Sequence, residues 1–432
     1  MFKYLKQIWN SKDLRKKILY TIAILIVFRI CTQISIPGAD LDAIRSVINK
    51  NQLLGIFSAL TGGSAENFSI ILMGLSPYIN ASIIMQLLTV IVPRLENLSK
   101  EGDAGRRKIN QYTRWMTVPI AFFQSYAMIV LINSQSGVPI VPDIANPAVV
   151  LPIMITITAG TVFLMWLGEL ITENGIGNGI SLIIFAGIVA QIPVMLGQTL
   201  SLASAETERL IPFVLMLLVT VALLTVVIMV TEANRQIPII YAGRGTRGKS
   251  DHATLPIRIN QAGMIPIIFG VSMASFPGVL AQLFANSTNE ALKAIAEGIQ
   301  TYFHMNSPLY IIVYFLLVVA FTYFYVSITF NPEQVADNLQ KRGGYIPGIR
   351  PGKETSDYLG KVSSRLNLWG GLFIAIIAVL PIILGSLFTS LNMGAVPLLI
   401  SGAGMIIIVG VVLELIRQVN AQLVMHDYSK FY

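Results

Sequence analysis

Charge is scarce in this chain. Only 12% of its 432 residues are Asp, Glu, Lys or Arg, about half the share found in soluble domains. With 54% hydrophobic residues beside that deficit, the chain has too little polar surface for solution and reads as an integral membrane protein. A single cysteine, Cys31, excludes a disulfide framework and a cysteine-based metal site. The three histidines, His252, His304 and His426, stand far apart and outside the apolar runs, so no histidine metal motif forms. Carboxylates are missing from the interiors of those runs as well, since Glu169 and Glu414 sit at run ends. Ion-coupled carriers need acidic groups near the bilayer midplane, and no Ser/His/Asp or paired-carboxylate set stands in the runs to support an intramembrane enzyme.

What the chain does have is ten long apolar runs: Ile18–Ile36, Phe68–Val92, Trp115–Ile132, Val149–Leu170, Ile180–Leu196, Ile211–Thr231, Gly263–Phe284, Leu309–Phe330, Leu368–Phe388 and Val396–Ile416. Runs near 20 residues predict membrane-spanning helices, whereas barrel strands would be short and alternating. The first run follows Lys12, Arg15, Lys16 and Lys17 as a signal peptide would, but it is long and lacks a small-x-small cleavage site, so it is expected to stay as a first span. Before it, Phe2, Leu5, Ile8 and Trp9 recur at near-helical spacing among lysines, which predicts a short helix lying in the headgroup layer. Of the 30 basic residues, 25 fall in alternate loops that share a side with both termini, and only Arg45, Lys50, Arg209 and Lys293 fall on the other. Both termini are therefore expected in the cytoplasm. Arg29 stands alone inside a run, where mid-bilayer placement costs about 2.5–3.5 kcal/mol. It lies toward the outer end, free to snorkel or to face the bundle interior, and a structural role is expected. The ten spans divide five and five at the outer loop near residue 200. An odd number per half inverts the second half in the membrane, giving halves of 1–200 and 201–432.

The stretch Leu53–Pro93 breaks the pattern. Leu53–Leu60 is apolar but far too short to cross, Thr61–Asn67 is polar and carries Gly62 and Gly63, and a full-length run follows. A half-length apolar piece leading into a span can be tucked into the membrane only where protein or a water-filled cavity shields its backbone. The other reading makes Leu53–Leu60 an amphipathic helix on the membrane surface.

Two cytoplasmic loops are long, about 232–262 and 331–367. The first holds RQIPIIYAG and TLPIRIN around a basic tip and predicts a hairpin standing off the membrane. The tip, GRGTRGKS at Gly243–Ser250, matches the P-loop pattern to the letter. A P-loop needs a helix starting at its lysine, and Pro256 shortly afterwards leaves no room for one. The motif is expected to be a glycine-rich basic tip. GIGNGIS, Gly175–Ser181, reads as a tight link into the next helix start.

Four segments carry a resemblance to a known family: FRICTQISIPG at Phe28–Gly38, LSPYINASIIMQLL at Leu75–Leu88, GELITENGIGNGISLIIFAGI at Gly168–Ile188 and NPEQVADNLQKRGGYIPGIRPGK at Asn331–Lys353. The chain resembles the SecY family, the large channel subunit of the bacterial Sec protein translocon. The resemblance implies an all-α polytopic membrane protein with ten transmembrane helices in two inverted five-helix halves around a central hourglass pore. It implies a passage for unfolded secretory chains, without enzymatic activity and without a cofactor; the competing class is a secondary transporter with inverted repeats. A waist ring would fall on Leu75, Ile79, Ile184, Ile188, Ile268 and Ile407, and a plug on 53–67, with Leu53, Leu54, Ile56, Phe57, Leu60, Gly62 and Gly63. A lateral gate between spans two and three and spans seven and eight would include Gln86 and, in an SFPG turn, Phe276. Arg244, Arg247, Lys249 and Arg350 would dock the SecA motor and the ribosome. GRGTRGKS and SGAG, at Ser401–Gly404, depart from the family's usual wording. Implied partners are the SecE and SecG subunits, SecA, the ribosome, signal peptides and nascent chains, and the lipids that receive released segments. The implied location is the bacterial cytoplasmic membrane.

Overall fold

The computed structural model describes residues 11–37, 41, 44, 58, 61–135, 141, 146–205, 210–241, 253–284, 290–303, 307–390 and 401–429. In chain order the helices are α1 (Lys12–Cys31), α2 (Ser76–Ile91), α3 (Pro93–Lys100), α4 (Asp103–Gln135), α5 (Pro147–Asn174), α6 (Gly179–Ala205) and α7 (Leu210–Glu232). Strands β1 (Asn234–Tyr241) and β2 (Ala253–Arg258) follow, then α8 (Ile265–Phe284), α9 (Glu290–Tyr302), α10 (Pro308–Thr329), α11 (Pro332–Lys341), β3 (Gly344–Tyr345), α12 (Lys353–Ser390) and α13 (Gly402–Ser429). The chain is an all-α polytopic membrane protein with one small sheet, and each of the ten expected spans coincides with a helix. Among the described residues seven helices are long and apolar enough to cross a membrane, and the bent α2–α3 pair makes an eighth. Helix α1 carries its basic residues inside the helix, and α8 is the remaining match.

Several helix starts are written locally. Asn146, Ser307 and Asn331 accept hydrogen bonds from the backbone N–H of Ala148, Tyr310 and Gln334 at 3.0, 3.1 and 3.1 Å, and each is followed by proline. These side chains satisfy donors that the first helical turn leaves open, and proline has no such donor to lose. Asn178 does the same for α6, accepting from Ile180 and Ser181 at 3.1 and 3.3 Å, which accounts for GIGNGIS without a ligand.

Three boundaries differ from expectation. The run Phe68–Val92 is helical only from Ser76, because residues 61–75 fold as successive turns and Pro77 opens the helix. At its other end α2 breaks by 100° into α3, where Pro93 removes a backbone donor and begins a polar helix. Residues 12–17 continue into α1 rather than ending a separate surface helix, and Phe2, Leu5, Ile8 and Trp9 lie outside the described residues.

Two units emerge from the contacts. The first comprises 1–201, 275–305 and 411–432 and the second 202–274 and 306–410. In the first, α4 packs on α2 and α5, and α1 on α5. Its outer core joins Ile36, Phe68 and Leu72 to Ile129 and Ile132 of α4 and Ile157 of α5. In the second, α10 packs along α12. Gly270 and Gly371 lie against Val318 and Thr322 of α10, so close that an added Cβ at Gly270 would stand 2.6 Å from the valine.

The two long loops meet in one sheet. β1 and β2 form the expected antiparallel hairpin, from Asn234 opposite Arg258 to Ile239 opposite Ala253. β3, supplied by the second loop about a hundred residues later, pairs with the far end of β1 and gives the order β2-β1-β3. Pro238 survives in the middle strand because β3 reaches only Ile240 and Tyr241. Beneath the sheet Ile237, Ile239 and Ile257 bury against Leu339, Ile346, Leu359 and Val362. Replacing Ile239, 3% exposed, by Asn puts an amide among aliphatic groups and should cost about 3 kcal/mol. Limited proteolysis of Ile239→Asn should therefore open both loops together; cleavage confined to the first loop would contradict a shared core.

Candidate functional site

The site begins where α1 ends. Beyond Cys31 the chain makes one more turn through Thr32 and Gln33, and then Ile34–Ile36 are stitched to residues 67–70. Ile36 N–H donates to Phe68 O and Ile70 N–H to Ile34 O, both at 3.0 Å, around an isolated bridge between Ser35 and Ser69. Ser69 Oγ donates to Cys31 O at 2.6 Å, and Asn67 Nδ2 reaches Thr32 O and Gln33 Oε1 at 3.3 Å. Each bond satisfies backbone or amide groups that lipid could not satisfy.

From that seam the chain folds inward. Ala65 is fully buried, as is Ser64, whose hydroxyl donates to Leu72 O at 3.4 Å. Phe68, 1% exposed, holds a positive φ of 41°, and among the described residues no other non-glycine residue does. Its ring is anchored in the outer core, which offsets a conformation that L residues avoid. At Ile70 the backbone crosses α5 so closely that a Cβ on Gly160 would stand 2.0 Å from the Ile70 carbonyl oxygen.

Gly62 and Gly63 form the inner corner, with φ of 72° and 83°. A Cβ on Gly62 would lie 2.9 Å from Gly187 Cα of α6, and one on Gly63 would lie 2.6 Å from Gln191 Nε2. These contacts need glycine for conformation and for space together. Arg29 closes the corner from α1, its Nη1 donating to Gly62 O at 2.6 Å. This is the structural role expected for the arginine, with a partner the sequence did not reveal.

The sequence-identified residues distribute as follows. Leu75 is buried just before α2, and Ile79, one turn on, donates its N–H to Leu75 O. Ile184 and Ile188 are buried one turn apart on α6, and Ile188 directly follows the glycine that meets Gly62. All four belong to the first unit; Ile268 in α8 and Ile407 in α13, the latter fully buried, belong to the second. Gln86 is half-buried on α2, and its Nε2 donates to Ser82 Oγ at 3.4 Å. The SFPG segment is not a turn: α8 runs through Phe276 and Pro277 as helix. Leu53, Leu54, Ile56, Phe57 and Leu60 lie outside the described residues, as do Arg244, Arg247 and Lys249. At the base of that basic tip the chain resumes as β2, a strand where a P-loop requires a helix.

Arg350 is exposed on the turn between β3 and α12. Gly348 and Gly352 flank it with φ of 80° and 94°, and its carbonyl accepts from Thr355 Oγ1 at 2.8 Å. The turn is fixed while the guanidinium projects. Arg235, Lys341, Arg342 and Lys353 are also exposed on or beside this small sheet. In the first unit, Arg114 of α4 pairs with Glu169 of α5, Nε to Oε1 at 2.5 Å.

The SecY family model matches residues 69–416. The chain is similar to the protein translocase subunit SecY of Halalkalibacterium halodurans, 42% identical over 442 residues and covering 100% of both chains. It is similar also to that of Bacillus subtilis, 40% identical over 100% of this chain and 99% of the relative, and to that of Thermus thermophilus, 38% identical over 99% and 97%. Among solved structures it is similar in fold to one described as the structure of a protein conducting channel, with a TM-score of 0.67, 18% identity and coverage of 95% and 93%. Another, at a TM-score of 0.63 with the same identity and coverage, is described as showing that the plug domain of SecY stabilises the closed state of the translocation channel and maintains a membrane seal.

The corner yields a comparison. Gly348→Ala meets no neighbour within 4 Å and suffers only its positive φ, about 1 kcal/mol, whereas Gly62→Ala adds a backbone clash and should cost about 3 kcal/mol. Thermal unfolding in detergent should rank them so, and equal losses would mean that the Gly62–Gly187 approach is not tight.

Proposed function

Because this chain belongs to the SecY family, we propose that it is the channel subunit through which unfolded secretory polypeptides cross the bacterial cytoplasmic membrane, with hydrophobic segments released sideways into lipid. The observation that supports this most directly is the folded-back turn 61–75. A chain built for solid packing has no use for a re-entrant piece whose glycines lie against a helix of aliphatic residues. In this reading residues 1–200 and 201–432 form inverted halves around an hourglass pore. Leu75, Ile79, Ile184, Ile188, Ile268 and Ile407 line its waist, residues 53–67 plug it, and Gln86 and Phe276 belong to the lateral gate. Aliphatic side chains suit the waist because they hold no ion and deform around a passing peptide, sealing without binding.

The channel is passive, so energy comes from partners. The exposed basic cytoplasmic body would meet the SecA motor or the ribosome, whose RNA phosphates attract arginine and lysine without sequence reading; SecE and SecG would complete the complex. Both termini would lie in the cytoplasm, by the distribution of basic residues. A secondary-transporter reading finds no support, since the spans offer no midplane carboxylates.

A secretory chain stalled in transit should crosslink to photoreactive probes at Ile79 and Ile188 and not to one at Ile155, which is 56% exposed on α5. Crosslinking at Ile155 alone would overturn the pore assignment. Arg350→Glu should slow SecA-driven export at least tenfold while the subunit still inserts into the membrane, and export at the native rate would remove Arg350 from docking.

A further inference from the structure

We propose that Arg29 is a positioning residue, a releasable latch that holds the Gly62–Gly63 corner against α1. The inference rests on the channel reading for its consequence but not for its geometry.

Arg29 is half-buried in the last turn of α1, inside the membrane-spanning stretch. The ion pairs found among the described residues are Lys100–Glu96 and Arg114–Glu169. Arg29 instead has a neutral partner, the Gly62 carbonyl, 33 residues away in sequence and 2.6 Å from Nη1. A charged donor on a neutral acceptor makes a strong bond in a low-dielectric setting. Breaking it leaves no stranded carboxylate, which separates it from a buried salt bridge. The guanidinium has further donors to offer water or another carbonyl, so release does not leave it bare.

The position of this bond within the re-entrant turn gives it its meaning. C-terminal to the corner, residues 67–70 are fixed by backbone pairing with 34–36 and by Ser69 to Cys31, none of which involves Arg29. At the corner itself, the neighbours Gly187 and Gln191 touch through shape. Gly63 N–H donates to Ser58 O at 2.8 Å, and Thr61 Oγ1 reaches the same carbonyl at 3.2 Å. Ser58 in turn donates its hydroxyl to Glu66 Oε1 at 3.0 Å. Ser58 and residues 61–66 thus bond to one another and, through Ser64, to Ser69 and Leu72, while Arg29 ties the Gly62 carbonyl to α1. Removing the latch loosens the Gly62–Gly63 corner and leaves the seam.

The test uses the complete complex in lipid nanodiscs and in planar bilayers. Hydrogen exchange in Arg29→Gln should run at least tenfold faster at the Gly63 amide, with Ile36 and Ile70 unchanged. Arg29→Lys, which keeps the charge but replaces the guanidinium fork by a compact ammonium, should fall between native and Arg29→Gln. Resting ion conductance should rise in the same order, at least threefold in Arg29→Gln, with Ile79→Asn as an independent opener. Native exchange at Gly63 in Arg29→Gln overturns the latch, and so does equal acceleration at Gly63, Ile36 and Ile70, which would mean general loosening. If Arg29→Gln does not fold, Arg29→Lys decides alone, since native exchange at Gly63 in that variant also overturns the proposal. Faster Gly63 exchange with no conductance change in any variant, Ile79→Asn included, keeps the latch and overturns the channel reading on which its consequence depends.

Discussion

A backbone that leaves its helix inside a membrane must find every hydrogen bond within the protein. That constraint organises the first unit. Fifteen residues, 61–75, run as turns where lipid-facing structure would have to be helical. Ile34–Ile36 supply strand-like partners, Ser69 and Asn67 reach back to the end of α1, and Arg29 covers the Gly62 carbonyl. The surrounding helices accommodate this irregular backbone by surrendering side chains at the crossing points. Gly160 yields to the Ile70 carbonyl and Gly187 to Gly62. Polar satisfaction and close approach are two aspects of one requirement, because a turn shielded from lipid must be wrapped tightly.

The second unit meets a different demand. Its sheet body rests on ordinary hydrophobic burial, with isoleucines of a small sheet against Leu339 near the end of α11, Ile346 and the beginning of α12. Its basic side chains face outward on turns fixed by glycine, so charge is displayed from a rigid footing rather than from slack loops. Little energy is gained from the charges themselves.

Much of this was legible in the residues. Apolar runs gave the ten helices and the alternation in RQIPII gave the hairpin; of the expected folded-back stretch, the turns at Gly62 and Gly63 are seen, while the run Leu53–Leu60, apart from Ser58, lies outside the described residues. What escaped has physical reasons. The break at Pro93 was visible as a proline, but an angle of 100° depends on what packs against α3. β3 is two residues long and carries no periodicity, so only its meeting with Ile240 and Tyr241 reveals it. Helix α2 starts late because a continuous apolar run from Phe68 does not record that residues 68–70 are occupied by long-range pairing and 71–75 by turns. Arg29 was conspicuous in sequence while its acceptor was not, since any residue could have supplied a carbonyl.

The middle position of β1 has a bearing on biogenesis. Synthesis delivers β1 and β2 early, and their hairpin closes locally. Ile237, Ile239 and Ile257 must then wait for Leu339, Ile346, Leu359 and Val362, which emerge only after α8 and α10 have been made and threaded into the bilayer. During that interval a greasy patch stands wet beside the exit of the nascent chain, and contacts so distant in sequence form slowly. Until then the hairpin's apolar face has no cover of its own, and the exposed Arg235 and Arg258 beside it supply polar surface.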